Sequence, residues 1–290
     1  MSKETIFDCA SYNAEGMLLS YLDSGSDKPV LHFSHANGFP ISMYLPLLNE
    51  LALDFRVIGL NLRGQDGLTE GILSWHRLSF DLIGFLENLG CGPVIGVGHS
   101  IGAVTAMLSA ARRPDLFSHL VLLDPVLLPW KHVSLIRLMK VLGRKSRFPL
   151  AVRARRRRNG WQSREEALAY FRGKDLFNGW EEAFLRAYVT YGLRPEPDGR
   201  IVLLCPPEAE ARGFENYPLD VWSWPMLLRI PALIIRGERS DTLTPKCYEK
   251  FCRLCPSAKG IVMEGAGHFV PMQNSAETIR LIKDFCKAQP

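Results

Sequence analysis

The sequence predicts an α/β fold in which helices cover a mostly parallel central sheet and a helical segment is inserted into it. Short apolar runs rich in Val, Ile and Leu, typical of strands buried on both faces, alternate with segments of helical periodicity. This alternation stops at Pro125 and resumes near residue 231. The chain has 290 residues, enough for one large domain that carries an insertion.

The individual elements follow from the same patterns. An antiparallel pair is predicted at 4–9 and 16–22, before the buried strands. Those strands are predicted at 30–34, 56–60, 94–97, 120–124, 231–236 and 260–263. The helices between and after them are predicted at 43–53, 74–89, 101–113 and 275–287. Alternation of this kind favours a parallel sheet with helices on its faces.

The insertion divides the chain into two regions. Residues 1–126 and 226–290 are predicted to form the core domain, and residues 127–225 a cap, or lid, over one edge of the sheet. The cap is predicted to be helical, with a hairpin or loop in 194–207. It also carries five tryptophans: Trp130, Trp161, Trp180, Trp222 and Trp224. We expect most of them in the core, and as a group they are compatible with an apolar binding site beneath the cap.

The basic residues are unevenly distributed. The net charge is +5, yet residues 131–174 alone carry +12, and Arg153–Arg158 is their densest run. The run is either a solvated helix face or a docking surface for an anion such as a carboxylate, a cofactor phosphate or a phospholipid surface. No nucleic-acid recognition module accompanies it, so we expect no nucleic-acid partner.

The remaining features of the sequence bear on the cellular compartment and on the need for a cofactor. No apolar run reaches about 18 residues, which predicts no membrane span. The N-terminal segment has no secretory pattern, and seven scattered cysteines suit a reducing compartment, so we expect a cytoplasmic protein. Cys247, Cys252 and Cys255 have the spacing of an iron–sulfur site but lie in a predicted surface helix from Pro245 without a fourth ligand. We therefore expect no metal and no cofactor.

The segment "VIGVGHSIGAV" at 94–104 puts Ser100 between a buried strand and a helix of small residues. A serine in such a strand–turn–helix projects its hydroxyl above the sheet, and the two glycines around it allow the backbones to approach. The N–H of Ile101 then lies at the start of the helix, where it can stabilise an oxyanion. This context predicts a nucleophilic serine.

A hydroxyl nucleophile needs a base and an acid that orients the base. His268 in "MEGAGHFVP" and Asp241 in "IIRGERSDTLTP" each follow a predicted strand, where open parallel sheets build their sites. We predict Ser100, Asp241 and His268 as the triad. Asp124, which ends the strand in "LLDPVLLP", is the alternative acid.

With "GHSIG", "GERSD" and "GAGHF" in this order, the chain resembles a capped α/β-hydrolase of the esterase and epoxide-hydrolase-like superfamily. "FSHANGFPIS" resembles the oxyanion loop of that superfamily, although Ala36 stands where glycine is usual and Asn61 where aspartate is common. The resemblance implies that Asn37 supplies the second oxyanion N–H, with Phe39 as the alternative, and that His35 braces this loop.

The resemblance also implies the reaction. Epoxide hydrolases and haloalkane dehalogenases of the superfamily attack with aspartate, whereas Ser100 implies an acyl-enzyme formed from a carbonyl substrate. We expect a serine hydrolase that cleaves a carboxylic ester or thioester of a small, partly apolar acyl substrate. The alternatives are a C–C bond hydrolase, a lactonase or a perhydrolase with the same triad, and a non-catalytic ligand-binding protein on the hydrolase scaffold.

Overall fold

The computed structural model describes residues 6–65 and 74–288. The strands are β1 Asp8–Ala14, β2 Met17–Asp23, β3 Val30–Ser34, β4 Arg56–Leu60, β5 Val94–His99, β6 Phe117–Leu123, β7 Leu193–Pro195, β8 Ile201–Leu203, β9 Ala232–Gly237 and β10 Ala258–Met263. Residues 4 and 5 of the predicted first strand lie outside the described residues. The buried strands lie where the apolar runs predict them, to within three residues.

The α-helices of the described residues follow the predicted helical segments and add those of the insertion. They are α1 Leu45–Leu51, α2 Trp75–Leu89, α3 Ile101–Arg112, α4 Trp130–Val141, α5 Pro149–Arg155, α6 Arg164–Arg172, α7 Glu182–Tyr191, α8 Pro207–Glu215, α9 Pro245–Leu254, α10 Val270–Gln273 and α11 Ser275–Lys287. A 3₁₀ turn, Ile41–Tyr44, precedes α1, because Pro46 suits the first turn of that helix rather than its interior.

Within the described residues, one eight-stranded sheet has the order β1-β2-β4-β3-β5-β6-β9-β10. The pairs β1–β2 and β2–β4 are antiparallel, and every later neighbour pair is parallel. The fold is the α/β-hydrolase fold that the sequence predicts. Because β3, β5, β6, β9 and β10 run in parallel, the loops after them meet at one edge.

Alternate residues of each central strand face opposite sides of the sheet and join different apolar clusters. In β6, Val121 and Leu123 pack with the side that includes α1 and α11, whereas Leu120 and Leu122 pack with α2 and α3. This two-sided burial explains the continuous apolar runs of the sequence, since neither face of these strands meets water.

Residues 124–231, between β6 and β9, contribute α4 to α8 and the hairpin β7–β8 but no strand of the eight-stranded sheet. Helices α5 and α8 pack together, and Ala151, Ala154 and Ala211 form a small apolar cluster of their own. Among the described residues, no helix is long and apolar enough to cross a membrane.

Candidate active site

Ser100 occupies a strained turn between β5 and α3. Its φ is 59° and its ψ is −119°, values that residues other than glycine rarely adopt. The flanking glycines are needed for close approach: a Cβ on Gly102 would lie 2.1 Å from the carbonyl oxygen of Ser34, and one on Gly98 would lie 2.5 Å from that of Gly102. The backbone therefore has the strand–turn–helix geometry that the sequence predicts for a nucleophile.

His268 lies in the loop between β10 and α10, and its ring reaches Ser100. The hydroxyl of Ser100 donates to Nε2 of His268 across 3.0 Å. On the other side of the ring, Nδ1–H donates to Oδ2 of Asp124 across 2.7 Å. Because a carboxylate can only accept, this second bond fixes the tautomer that leaves Nε2 free to take a proton.

The carboxylate beside His268 is thus Asp124, and the prediction that Asp241 orients this histidine is wrong in the structure. Asp241 is exposed and contacts the hydroxyl of its neighbour Thr242 across 3.3 Å. Asp124 follows β6 directly, at a φ of 43°, and has no exposed surface. Asp124, the alternative acid that the sequence offered, is therefore the residue that contacts His268.

The loop that carries Asp241 has a different part in the site. Gly237, at the end of β9, donates to the Asp124 carboxylate from its backbone N–H across 2.9 Å, and Ser240 of the loop donates from its hydroxyl across 2.6 Å. Together with His268, three donors satisfy this buried acid. The "GERSD" motif therefore surrounds the acid instead of supplying it.

The predicted oxyanion donors lie where the loop after β3 meets the start of α3. A Cβ on Gly102 would lie within 2.6 Å of the carbonyl oxygen of His35, which brings this loop against the nucleophile turn. Within the described chain, the backbone N–H groups of Ile101 and Asn37 have no acceptor. The N–H of Phe39, the alternative donor, is used by the carbonyl oxygen of Ala36 across 3.2 Å.

The side chain of Asn37 is held on two sides. Its amide donates to the carbonyl oxygen of Glu210 in α8 across 2.8 Å, and its oxygen accepts from the amide of Gln65 across 3.1 Å. Gln65 also accepts from the N–H of Gly38 across 2.6 Å. His35 donates from Nδ1 to the carbonyl of Ala36 and accepts at Nε2 from the N–H of Leu62, both across 2.9 Å. The loop is thus braced, as the sequence predicts for His35.

A chain of hydrogen bonds joins this loop to the histidine loop through two fully buried side chains. The N–H of Ala36 donates to the Tyr44 hydroxyl across 3.1 Å, and that hydroxyl donates to Nδ1 of His99 across 2.8 Å. Nε2–H of His99 then donates to the carbonyl oxygen of His268 across 3.0 Å. Burial holds the pKa of His99 well below its usual value, so its ring stays neutral. No sequence motif indicates Tyr44.

Aromatic side chains of the insertion and the core cover this edge of the sheet. Trp180 packs on Phe269, the residue after His268, with ring centroids 5.0 Å apart, and on Phe39 at 5.7 Å. Phe177 and Tyr188 extend the cluster. Ser100 is 7% exposed. Because Phe269 also contacts the ring of His268, with centroids 5.1 Å apart, the aromatic cluster places apolar surface next to the histidine.

The insertion is also bonded to the histidine loop. Gln273 accepts from the N–H of Gly267 across 2.7 Å and donates to the carbonyl oxygen of Asn178 across 2.9 Å. Glu181 accepts from the N–H and the hydroxyl of Ser275, both across 2.7 Å. These bonds tie residues 178–181 of the insertion to the segment that carries His268.

The densest basic run is largely paired within the protein. Arg157 pairs with Glu210 and donates to the hydroxyl of Tyr188 across 2.6 Å, while Arg155 and Arg158 pair with Glu208 and Glu166. Since Glu210 holds Asn37 through its backbone, the Arg157–Glu210 pair lies beside the oxyanion loop. Because their charges are paired, Arg155, Arg157 and Arg158 do not form an open anion site.

Comparison with known proteins agrees with this geometry. Residues 31–281 match the sequence profile of the group described as the alpha/beta hydrolase family. A 2-(acetamidomethylene)succinate hydrolase of Mesorhizobium japonicum is 25% identical over 273 residues, which cover 93% of this chain and 92% of the relative. An sn-1-specific diacylglycerol lipase of Mus musculus is 28% identical over 219 residues, 73% of this chain and 65% of that one.

Among solved structures, an E-2-(acetamidomethylene)succinate hydrolase is similar to this chain with a TM-score of 0.80. The match covers 97% of this chain and 99% of the other at 23% identity, a level that supports the shared fold. The profile match extends over most of the chain, from β3 to α11. The chain therefore belongs to the α/β-hydrolase family, and the relatives named here are hydrolases.

Proposed function

We propose that the protein is a serine hydrolase that cleaves a carboxylic ester or thioester through an acyl-enzyme. The observation that carries the proposal is the continuous line of hydrogen bonds from Ser100 through His268 to Asp124. A nucleophile, a base with a free nitrogen and a buried acid that fixes the tautomer are the parts that acyl transfer requires. Asp124 is the acid in this proposal.

The first half of the reaction acylates the serine. Nε2 of His268 takes the proton of the Ser100 hydroxyl as the oxygen attacks the substrate carbonyl carbon. The negative charge that develops on the carbonyl oxygen is held by the unused N–H groups of Ile101 and Asn37. Asp124 stabilises the imidazolium, and the leaving alcohol or thiol departs with the proton from Nε2.

The second half returns the enzyme to its starting state. Water attacks the acyl carbonyl carbon, and Nε2 of His268 accepts one of its protons. The tetrahedral intermediate collapses, the carboxylic acid leaves, and the Ser100 oxygen recovers its proton from His268. No metal ion or redox step is needed to balance the reaction.

Residues 127–225 are proposed to act as a cap that selects the substrate. The rings of Phe39, Trp180 and Phe269 favour an apolar acyl or aryl group next to the nucleophile. These rings contact one another directly, and Ser100 is only 7% exposed, so we propose that substrate entry separates the insertion from the core. The bonds at Gln273 and Glu181 then limit this separation.

The test is covalent labelling with a fluorophosphonate probe, followed by turnover of p-nitrophenyl esters of increasing chain length. We expect labelling of the wild-type protein and none of Ser100→Ala, whose kcat should fall by at least about three orders of magnitude. Turnover that survives this substitution would exclude the mechanism. Absence of labelling in the wild-type protein would favour the ligand-binding alternative.

A further inference from the structure

Helix α4 carries two apolar stripes, of which only one packs against the protein. Val133 and Ile136 are buried, in the i, i+3 pattern of a packed helix face. On the opposite side Leu135, Leu138 and Leu142, spaced by three and four residues, are 46%, 53% and 56% exposed. A second apolar stripe that faces water is unfavourable unless something else covers it.

The exposed apolar side chains of the described residues are concentrated here. Six of the thirteen large ones fall within residues 130–150, namely Trp130, Leu135, Leu138, Val141, Leu142 and Leu150. Trp130 and Val141 are 74% and 79% exposed, the two highest values of the group. The other seven are distributed from Ile6 to Val262. We call residues 130–150 the apolar–basic face.

The charged side chains of the apolar–basic face are all positive. The sequence has no Asp or Glu from 125 to 164, but it has twelve Lys and Arg there. Lys131, Arg137, Arg144 and Arg147 are exposed, and no carboxylate of the described residues pairs with them. The face is therefore distinct from the paired side chains of Arg155, Arg157 and Arg158, and its positive charge is not neutralised by carboxylates of the described residues.

These two properties together identify one kind of partner. A second copy of the chain would cover the apolar side chains but would bring like charges together, which is unfavourable. A nucleic acid would neutralise the charges but would leave the leucines, Val141 and the outer part of Trp130 without an apolar partner. A lipid surface that contains anionic headgroups satisfies both, because Trp and Leu enter the acyl boundary while Lys and Arg remain at the headgroups.

We propose that the apolar–basic face docks onto the surface of an anionic lipid bilayer. The helix lies in the plane of the interface without crossing the bilayer, in keeping with its length of 12 residues. Residues 130–150 belong to the insertion between β6 and β9, so docking would bring the insertion to the lipid. This inference does not depend on the reaction proposed above.

The test is cosedimentation of the 290-residue protein with phosphatidylcholine vesicles, with and without a minority of phosphatidylglycerol. We expect binding only to the anionic vesicles, and release at high salt. The double variant Arg137→Glu/Arg144→Glu should bind at least about tenfold more weakly. Its matched control, Lys246→Glu/Lys259→Glu, has the same net charge with the changes on other elements and should bind like the wild type.

A second pair of variants isolates the apolar contribution. Leu138→Gln should weaken vesicle binding severalfold, whereas Leu53→Gln, at a site that is 64% exposed, should not. Unchanged thermal unfolding midpoints check that the variants fold. The proposal is overturned if anionic vesicles are not bound or if both charge variants lose binding equally. Concentration-dependent self-association abolished by Leu138→Gln, or binding of an oligonucleotide in place of vesicles, would likewise overturn it.

Discussion

The hydroxyl of Tyr44 donates a hydrogen bond to Nδ1 of His99 across 2.8 Å, at a position where both side chains are fully buried. The same hydroxyl accepts from Ala36 in the oxyanion loop, and His99 donates to the carbonyl oxygen of His268. The loop after β3, the end of β5 and the loop after β10 are thereby joined through one pair of side chains. We infer that Tyr44 and His99 position the catalytic groups without touching the substrate.

Tyr44→Phe should lower kcat by about tenfold with little change in KM, because Ala36 N–H and His99 Nδ1 both lose their partner. Steady-state kinetics with a p-nitrophenyl ester measure this. Tyr217→Phe is the matched control: its buried hydroxyl bonds to Leu128 and Val126 instead, so it should reduce stability without reducing kcat. Equal kinetic effects of the two variants would argue against a positioning role for Tyr44.

Gly213 in α8 tests the contact between the insertion and the oxyanion loop. A Cβ there would lie 2.5 Å from the side-chain amide nitrogen of Asn37. Gly213→Ala should therefore displace Asn37 and lower kcat by about one to two orders of magnitude, although alanine suits a helix better than glycine. Gly173→Ala, where the nearest atom would be 3.7 Å away, should leave kcat unaffected. Unchanged kinetics of Gly213→Ala would argue against a catalytic role for Asn37.

The free energy of unfolding is expected to depend on pH through two buried histidines. Burial lowers the pKa of His32 to about 3 and that of His35 to about 4, from an ordinary value of 6.5. Below pH 6.5 the unfolded chain binds protons that the folded protein does not, so the free energy of unfolding falls as the pH falls through this window. Each such histidine contributes roughly 1.4 kcal/mol per pH unit until its folded pKa is reached.

Urea unfolding at about pH 7 and about pH 5 measures this slope. His32→Gln should flatten it, because glutamine does not titrate. His132→Gln, at an exposed position, should not. A slope that is the same in His32→Gln and in the wild type would mean that His32 is not neutral in the folded protein at these pH values.

The parts of the molecule that the sequence predicts are those fixed by local patterns. The strand at 30–34 and the helix at 275–287 coincide with β3 and α11, since burial and a capping Asn274 mark their ends. The glycines of "GHSIG" likewise report a close approach of backbones that any side chain would prevent. Ser100 and His268 are predicted correctly as partners because each follows a strand of the parallel sheet.

The choice of the acid depends on a distance between loops, which sequence order does not encode. Asp124 and Asp241 follow neighbouring strands, β6 and β9, and both lie at the same edge of the sheet. Asp124 comes directly after Leu123, whereas Asp241 lies four residues beyond Gly237, at the surface. The position of Asp124, immediately after the end of β6, was the one sequence feature that favoured it as the acid. The Tyr44–His99 pair had none, because its members are 55 residues apart in the chain.

The identity of the acid that orients His268 is tested most directly by the kcat of two matched variants. Asp124→Asn should lower kcat by about four orders of magnitude, since the amide no longer fixes the tautomer of His268 or stabilises its cation. Asp241→Asn should remain within about twofold of the wild type, as expected of an exposed surface substitution. Near-normal turnover in Asp124→Asn with a collapse in Asp241→Asn would contradict the account.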